Sequence, residues 1–365
     1  MSEKKKRVRG SKKEVKVEES AILIPTGSTL LNLACSDNIK GAYKLGKIVT
    51  MPGASQGGKS ILQLTMFAEM AIRKEFDDFD FYYDDAEESM EFDTPKLFKS
   101  IIGRIKAPKC DKDDNPVCSN TIQDFESNIL MSIENATKTG KSFVYSLDSL
   151  DSLTSSEEIQ REFKNAIKVA KSDDHLKEIK KSFELEKVRA LSKILRMSNQ
   201  MLKDVNSTLI IVQQERANVG GLPGTSWKPA GGKSPKHYSG HQIFLNSVKM
   251  LKDPNTKLHI GNTIKASVKK NRSTGKQRIV EFDVYLDYGI DDIGSMINWL
   301  IQVDHWKKKT KSTKYDAKEL EIEGTKKELI SLIEENNLEN KLRRTVGKKW
   351  KEREESILLN RKSKY

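Results

Sequence analysis

Gly53-Ala54-Ser55-Gln56-Gly57-Gly58-Lys59-Ser60 fits the pattern G-x-x-x-x-G-K-[ST], and what flanks it decides the fold. Before it, Lys47-Ile48-Val49-Thr50-Met51 reads as a short buried strand. After it, Ile61 to Ala68 is apolar with helical recurrence and contains no Gly or Pro. Strand, glycine-rich loop and helix start are the context in which this pattern cradles phosphates. Glycines let backbone N–H groups face the anion, and the helix N-terminus adds a favourable dipole. Lys59 is placed to reach the β- and γ-phosphates, and the Ser60 hydroxyl to ligate Mg²⁺. The stretch predicts binding of a nucleoside triphosphate.

Composition bounds the rest. A chain of 365 residues can hold one large α/β core plus an appendage, or two domains. Only 36% of it is hydrophobic and 32% is charged, so part of the length is expected in solvated tails or long surface helices. The net charge of +13 suits a phosphate-backbone partner, and would also fit a membrane surface or an acidic protein. No apolar run approaches transmembrane length, and no signal peptide follows the Lys-rich start, so neither a membrane nor secretion is expected. Three cysteines argue for a reducing compartment. Cys110 and Cys118 have no nearby His or further Cys and read as two free thiols on a loop rather than a zinc site.

Residues 1–20 are almost devoid of apolar side chains and are expected to be disordered, serving as a solvated tail, a phosphate-attracting arm, or both. From Ala21 to about residue 305, short apolar runs alternate with helical periodicity, as in an α/β sheet flanked by helices. Strands are expected at Phe79–Tyr83, Phe143–Leu147, Thr208–Val212, Ser247–Leu251, Thr263–Val268 and Ile279–Leu286. The last two flank the polar stretch Asn271–Lys276 and read as a hairpin. A long helix is expected over Phe183–Lys203. The charged stretch Ser155–Ser182 reads either as a helical hairpin or as a loop. Arg216–His241, rich in Gly and polar residues, is too long for a plain connection. Residues 306–365 form a basic appendage with short amphipathic helices expected at Thr325–Asn336 and Lys348–Leu359.

Hydrolysis needs a metal-side carboxylate and a group that orients water. Phe143 to Asp148 is an apolar strand ending in Asp, which puts Asp148 beside Mg²⁺ at the carboxyl edge of the sheet. The strand from Phe79 to Tyr83 runs into Asp84-Asp85-Ala86-Glu87-Glu88, either a solvated turn or a place to hold water against the γ-phosphate; Glu87 is the candidate base. Thr208 to Val212 runs into Gln213-Gln214-Glu215-Arg216, where a glutamine could sense the γ-phosphate or simply begin a loop.

Ile24-Pro25-Thr26-Gly27-Ser28, the phosphate loop, Asp85-Ala86-Glu87, Leu147-Asp148-Ser149, Gln213-Gln214-Glu215-Arg216, Gly231 to Tyr238 and Tyr288-Gly289-Ile290-Asp291 occur in one order. In that order and spacing the chain, over about residues 21–303, resembles the RecA family of recombinases, in particular the RecA-like recombinases of tailed phages. The resemblance implies a RecA-like P-loop NTPase core with a mainly parallel sheet. It implies ATP and Mg²⁺ as cofactors, with Gly53, Ala54, Ser55, Gln56, Gly57, Gly58, Lys59 and Ser60 around the phosphates. Glu87 would be the catalytic glutamate and Gln214 the switch to a DNA-binding loop from Arg216 to about Tyr238. Glycines there allow close backbone contact. Arg216, Gly231, Gly232, Lys233 and Lys236 would meet phosphates, and Trp227 and Tyr238 are placed for base stacking. Val268-Lys269-Lys270-Asn271-Arg272 resembles the family segment that reaches a neighbour's nucleotide, with Lys270 and Arg272 acting in trans as arginine fingers do; the alternative is a solvated turn.

The resemblance further implies a DNA-dependent ATPase of the bacterial cytoplasm, here phage-encoded, that self-associates into a helical filament on single-stranded DNA. It would pair with homologous duplex DNA and work with single-stranded-DNA-binding and mediator proteins. Departures are visible. Only a short basic tail precedes the core, the C-terminus is basic rather than acidic, and Glu91 stands where the family has an adenine-contacting Asp. A ring-forming helicase with the same core, and an ATP-switched single-stranded-DNA-coating mediator, are the alternatives weighed.

Overall fold

The computed structural model describes residues 22–54, 57–88, 94–98, 103–157, 173–216, 228–229, 231–310, 312–359 and 361. The basic tail over residues 1–20, Ser55 and Gln56 of the phosphate loop, Glu91, Trp227 and most of the first charged stretch lie outside these. Among the described residues ten strands make the main sheet, nine of them in one path: β1 (Ile48–Gly53), β2 (Asp80–Asp85), β3 (Ile105–Lys106), β4 (Phe143–Asp148), β5 (Thr208–Arg216), β6 (His241–Lys252), β7 (His259–Asn271), β8 (Ile279–Tyr285) and β9 (Gly289–Asp291). Their order is β9-β8-β7-β6-β1-β5-β4-β2-β3, and Lys228–Pro229 pairs with the end of β5. From β6 across to β3 every pairing is parallel; β6 to β9 is an antiparallel meander. The expected α/β class with a mainly parallel core sheet is what the chain forms.

Helices cover both faces, so β1 and β4 are buried along their whole length and read as continuous apolar runs. The core divides by strand alternation. Val49, Val144, Ile210 and Val212 join one apolar cluster; Ile48, Tyr145, Leu209 and Ile211 join the other. The first cluster packs under α1 (Thr29–Ser36), α2 (Lys59–Ala71) and α6 (Asp292–Gln302). The second packs under α3 (Ile122–Thr139) and α4 (Asp173–Asp204). Helix α3 starts at a capping box between Thr121 and Asp124 and stops at Gly140 in the left-handed region. Its Ile122, Phe125, Ile129, Ile133 and Ala136 form the buried stripe. No described helix is long and apolar enough to cross a membrane.

Two elements run further than the sequence patterns indicate, and one is additional. Helix α4 begins at Asp173, inside the charged stretch. Strand β6 begins at His241, six residues before the expected strand, because polar His241 and Gln242 are buried rather than exposed; His241 Nε2 bonds the Cys35 carbonyl at 3.2 Å. A short helix α5 (Ser234–Tyr238) precedes it.

The C-terminal stretch carries a hairpin (Tyr315–Ala317 with Ile322–Gly324), α7 (Lys326–Glu335) and α8 (Glu339–Ser356). Leu329, Ile333, Leu342, Val346 and Trp350 join the first apolar cluster. Helix α8 begins nine residues before the expected one, since Leu342 and Val346 are its buried positions. It is tied to the β7–β8 turn by ion pairs. Arg278 meets Glu354 in two bonds of 2.6 Å, and Lys276 bridges Glu354 at 2.8 Å and Asp37 at 2.7 Å. The bidentate Arg278 bond, with Lys276 beside it, pulls the Glu354 carboxyl down to about 2. Against an ordinary value of 4.5, the stabilisation is whole above that value and lost as pH falls toward 2. Glu354→Gln is therefore expected to cost about 1 kcal/mol at neutral pH. Wild type and variant should converge in thermal-melt midpoint as the pH is lowered toward 2; a constant gap would place the effect elsewhere than this charge.

Candidate nucleotide site

The site forms where strands end. Register aligns Gly53 with Gln214 on β5 and with Leu245 on β6, and aligns Asp85 with Asp148. The phosphate loop and three candidate carboxylate or amide strand ends thus share the carboxyl edge of the sheet, where open α/β sheets bind ligands. Gly53 is required by closeness: a Cβ there would stand 2.2 Å from the Leu245 carbonyl oxygen. Gly58 takes φ +73°, left-handed, and turns the chain directly into α2, whose first residue is Lys59. The loop therefore ends on a helix N-terminus, as anion binding needs.

Lys59 is buried, and its Nζ donates to the Gly53 carbonyl at 3.1 Å and the Ala54 carbonyl at 2.6 Å. Burial lowers its ammonium below the ordinary lysine value, while Asp148 and Glu87 pull it back up. Ser60 Oγ donates to Asp148 Oδ2 at 2.6 Å. Burial pushes the Asp148 carboxyl up; hydrogen bonds from Ser60 and Tyr83 oppose the shift. Glu87 Oε1 accepts from Gln214 Nε2 at 2.8 Å and from the Ser149 hydroxyl. The Gln214 backbone N–H donates to Asp151 Oδ2 at 2.7 Å. Lys59, Ser60, Glu87, Asp148 and Gln214 all line one cavity of about 510 Å³. A serine hydroxyl beside a carboxylate is a hard-oxygen pair of the kind Mg²⁺ takes.

Several residues at this site were not singled out from the sequence. Ser149, quoted from the sequence only within Leu147-Asp148-Ser149 and given no role, bonds Glu87, and Gln63 and Tyr83 both bond Asp148; strand register and a helix turn bring them there. Tyr285, Met250, His259 and Leu286 also line the cavity.

The loop after Gln214 is described only in part: the Arg216 backbone pairs with Lys228, and the chain resumes at Gly231. Gly231 and Gly232 turn the chain into α5; Lys233 and Lys236 are exposed. Tyr238 is half-buried against the second apolar cluster, its ring at right angles to that of exposed His237. Lys270 and Arg272 lie away from the cavity. Lys270 is paired with Gln242, which itself lies level with Thr50, toward the opposite edge of the sheet from the phosphate loop. Lys270 Nζ donates to the carbonyls of Lys236 (2.5 Å) and His237 (2.9 Å), and Arg272 Nη2 to that of His237 (3.0 Å). Partial burial, then the charges of Arg272 and Lys236, bring the Lys270 ammonium down to about 8. Lys270 is thus within a strand and half-buried, while Arg272 is exposed at its end.

Comparison with known proteins agrees with this geometry. A family model described as the RecA N-terminal domain matches residues 133–291. The protein RecA of a Sulfurovum species is 28% identical over 335 residues, covering 92% of this chain and 84% of the relative. That of Helicobacter pylori is 27% identical over 332 residues (89% and 84%), and that of a Nitratiruptor species 26% over 330 residues (89% and 84%). With a phosphate loop leading into α2, a carboxylate at the end of β4 and likeness along most of its length, the chain is similar to the RecA proteins.

Proposed function

We propose that this protein is an ATP-dependent DNA recombinase that forms filaments on single-stranded DNA and promotes homologous pairing and strand exchange in recombination and repair. The observation that carries the reading is the 2.8 Å bond between Gln214 and Glu87. It joins the carboxylate beside the phosphate loop to the strand end from which the DNA-binding loop departs. A change at Gln214 on DNA binding would move the partner of the water-activating group, which is what a DNA-dependent ATPase requires.

In this reading the phosphate loop from Gly53 to Ser60 holds the triphosphate of ATP, and Lys59 exchanges its two carbonyl partners for phosphate oxygens. Ser60 and Asp148 hold Mg²⁺, which when bound neutralises charge on the β- and γ-phosphates. Glu87 accepts the proton of the attacking water, and Ser149 and Gln214 fix its orientation. Arg216, Gly231, Gly232, Lys233, Lys236 and Tyr238 line the DNA path, Tyr238 from a half-buried position beside His237. Residues 21–305 act as the ATPase core, with 306–365 a basic extension of it. The assembly is a helical filament acting in the bacterial cytoplasm with homologous duplex, single-stranded-DNA-binding and mediator proteins as partners. Placement of Lys270 and Arg272 away from their own cavity suits charges that serve a neighbour's nucleotide.

Negative-stain electron microscopy with single-stranded DNA and a non-hydrolysable ATP analogue tests the assembly. Helical filaments are expected, and closed rings would turn the reading toward a helicase. Lys59→Ala should form none, because the lysine neutralises phosphate charge.

The trans role has its own test. Lys270→Ala and Glu87→Gln should each lose DNA-stimulated hydrolysis, the former by about 10³-fold by analogy with arginine fingers. Mixed on DNA, they rebuild complete sites wherever the intact Glu87 of one chain meets the intact Lys270 of the next. Recovered hydrolysis is expected. No recovery from co-assembled chains would leave Lys270 as a cap on α5 alone.

A further inference from the structure

Asp148 is gripped by more than the phosphate loop. Three donors converge on its Oδ2: Ser60 Oγ at 2.6 Å, the Tyr83 hydroxyl at 2.8 Å and Gln63 Nε2 at 3.2 Å. No described residue donates to Oδ1, although Asp148 lines the cavity. Tyr83 projects from β2, whose register sets it level with Ser146 two residues before Asp148. Gln63 lies one turn after Ser60 on α2, so both face the same strand end. Both are buried, Gln63 fully and Tyr83 at 4% exposure. The Gln63 amide is itself oriented: its Oε1 accepts from the Ser146 hydroxyl, which turns Nε2 toward Asp148. Tyr83 is set by its ring, packed in the first apolar cluster.

A buried carboxylate needs donors, and one serine would leave it under-satisfied. The arrangement goes beyond satisfaction because all the donors choose one oxygen. A carboxylate held through Oδ2 from two rigid, buried positions cannot rotate, so Oδ1 keeps a fixed direction. Ser60 can donate to Oδ2 while its lone pairs remain for a cation.

We infer that Tyr83 and Gln63 are positioning residues for the metal carboxylate, holding Asp148 by Oδ2 so that Oδ1 is presented to the magnesium of the bound nucleotide. The inference rests on the nucleotide-site reading above. Neither residue touches substrate. Outer partners that orient a metal's ligands set its affinity, and their loss typically costs about 10- to 100-fold.

The test uses the full chain with Mn²⁺ as the probe ion. Free and bound Mn²⁺ are measured by electron paramagnetic resonance in the presence of ADP. Affinity for N-methylanthraniloyl-ADP is measured separately in EDTA, and folding by thermal melt. Tyr83→Phe, which keeps the ring, and Gln63→Leu, which keeps the volume, should each weaken Mn²⁺ binding by about 10-fold or more. Metal-free nucleotide affinity should stay within about twofold of wild type, since among the described residues Gln63 meets the phosphate loop's backbone only at the Lys59 carbonyl (3.4 Å) and Tyr83 bonds none of its backbone N–H groups. A melting point lowered without any change in Mn²⁺ affinity would make both residues structural and overturn the inference. Should Tyr83→Phe not fold, Gln63→Leu decides by the same two affinities. Wild-type protein that binds the fluorescent ADP while both variants bind Mn²⁺ as it does sinks this inference alone; wild-type protein that binds no ADP sinks the nucleotide site with it.

Discussion

At Gly53 three strands come together with no room for a side chain. Leu245 on β6 and Gln214 on β5 flank it in register, and the carbonyl of Leu245 occupies the space a Cβ would need. That closeness fixes the distance from the phosphate loop to everything else at the sheet edge. It sets Gln214 beside the loop, and Gln214 in turn bonds Glu87 from the end of β2. A larger residue at position 53 would push β6 outward and separate the loop from the strand end that carries Gln214. The glycine is therefore a constraint on sheet geometry as much as on phosphate access.

The charges assembled there would be expensive in isolation. Lys59 and Asp148 are both almost fully buried, and burial shifts each toward its neutral form. What keeps the arrangement tolerable is that every charged group has fixed dipoles aimed at it. Carbonyls of Gly53 and Ala54 take up Lys59, hydroxyls and an amide take up Asp148, and Ser149 and Gln214 take up Glu87. Such dipoles need little reorganisation when charge arrives, which is the form of electrostatic preparation that phosphoryl transfer rewards. The same bonds oppose loss of the ionised state, so desolvation and hydrogen bonding pull against each other within one small volume.

Where the sequence was legible, the signal was local. The strand, loop and helix around residues 47–68 are contiguous, and Asp148 and Glu87 end apolar runs that announce strands. Gln63, Tyr83 and the role of Ser149 were not legible, because what makes them matter is a neighbour 62 to 85 positions away. The early start of β6 was hidden by His241 and Gln242, polar residues that are buried and so break the apolar pattern. Helix α8 is longer than its sequence pattern suggests because Leu342, Val346 and Trp350 are spaced among so many lysines and arginines that the buried stripe is diluted. Tyr238 illustrates the reverse failure. Its place in a Gly-rich basic loop suggests an open stacking platform, yet half of it is packed against the core.

The meander that carries Lys270 and Arg272 is held from two sides, and the two holds differ in kind. On one side the turn after β7 is pinned to α8 by Lys276 and Arg278 through Glu354, a charged contact that also engages Asp37 at the end of α1. On the other, the side chains of Lys270 and Arg272 meet, among the described residues, the last carbonyls of α5, the short helix that precedes β6. Cations at a helix C-terminus are favoured by the exposed carbonyls and the dipole, but each such contact is worth only about 0.3–1 kcal/mol at an exposed site. Ion pairs backed by the buried Trp350 make the first anchorage the firmer one. A shift of α5 would thus be felt first by Lys270 and Arg272, while the turn beyond them stays fixed to α8.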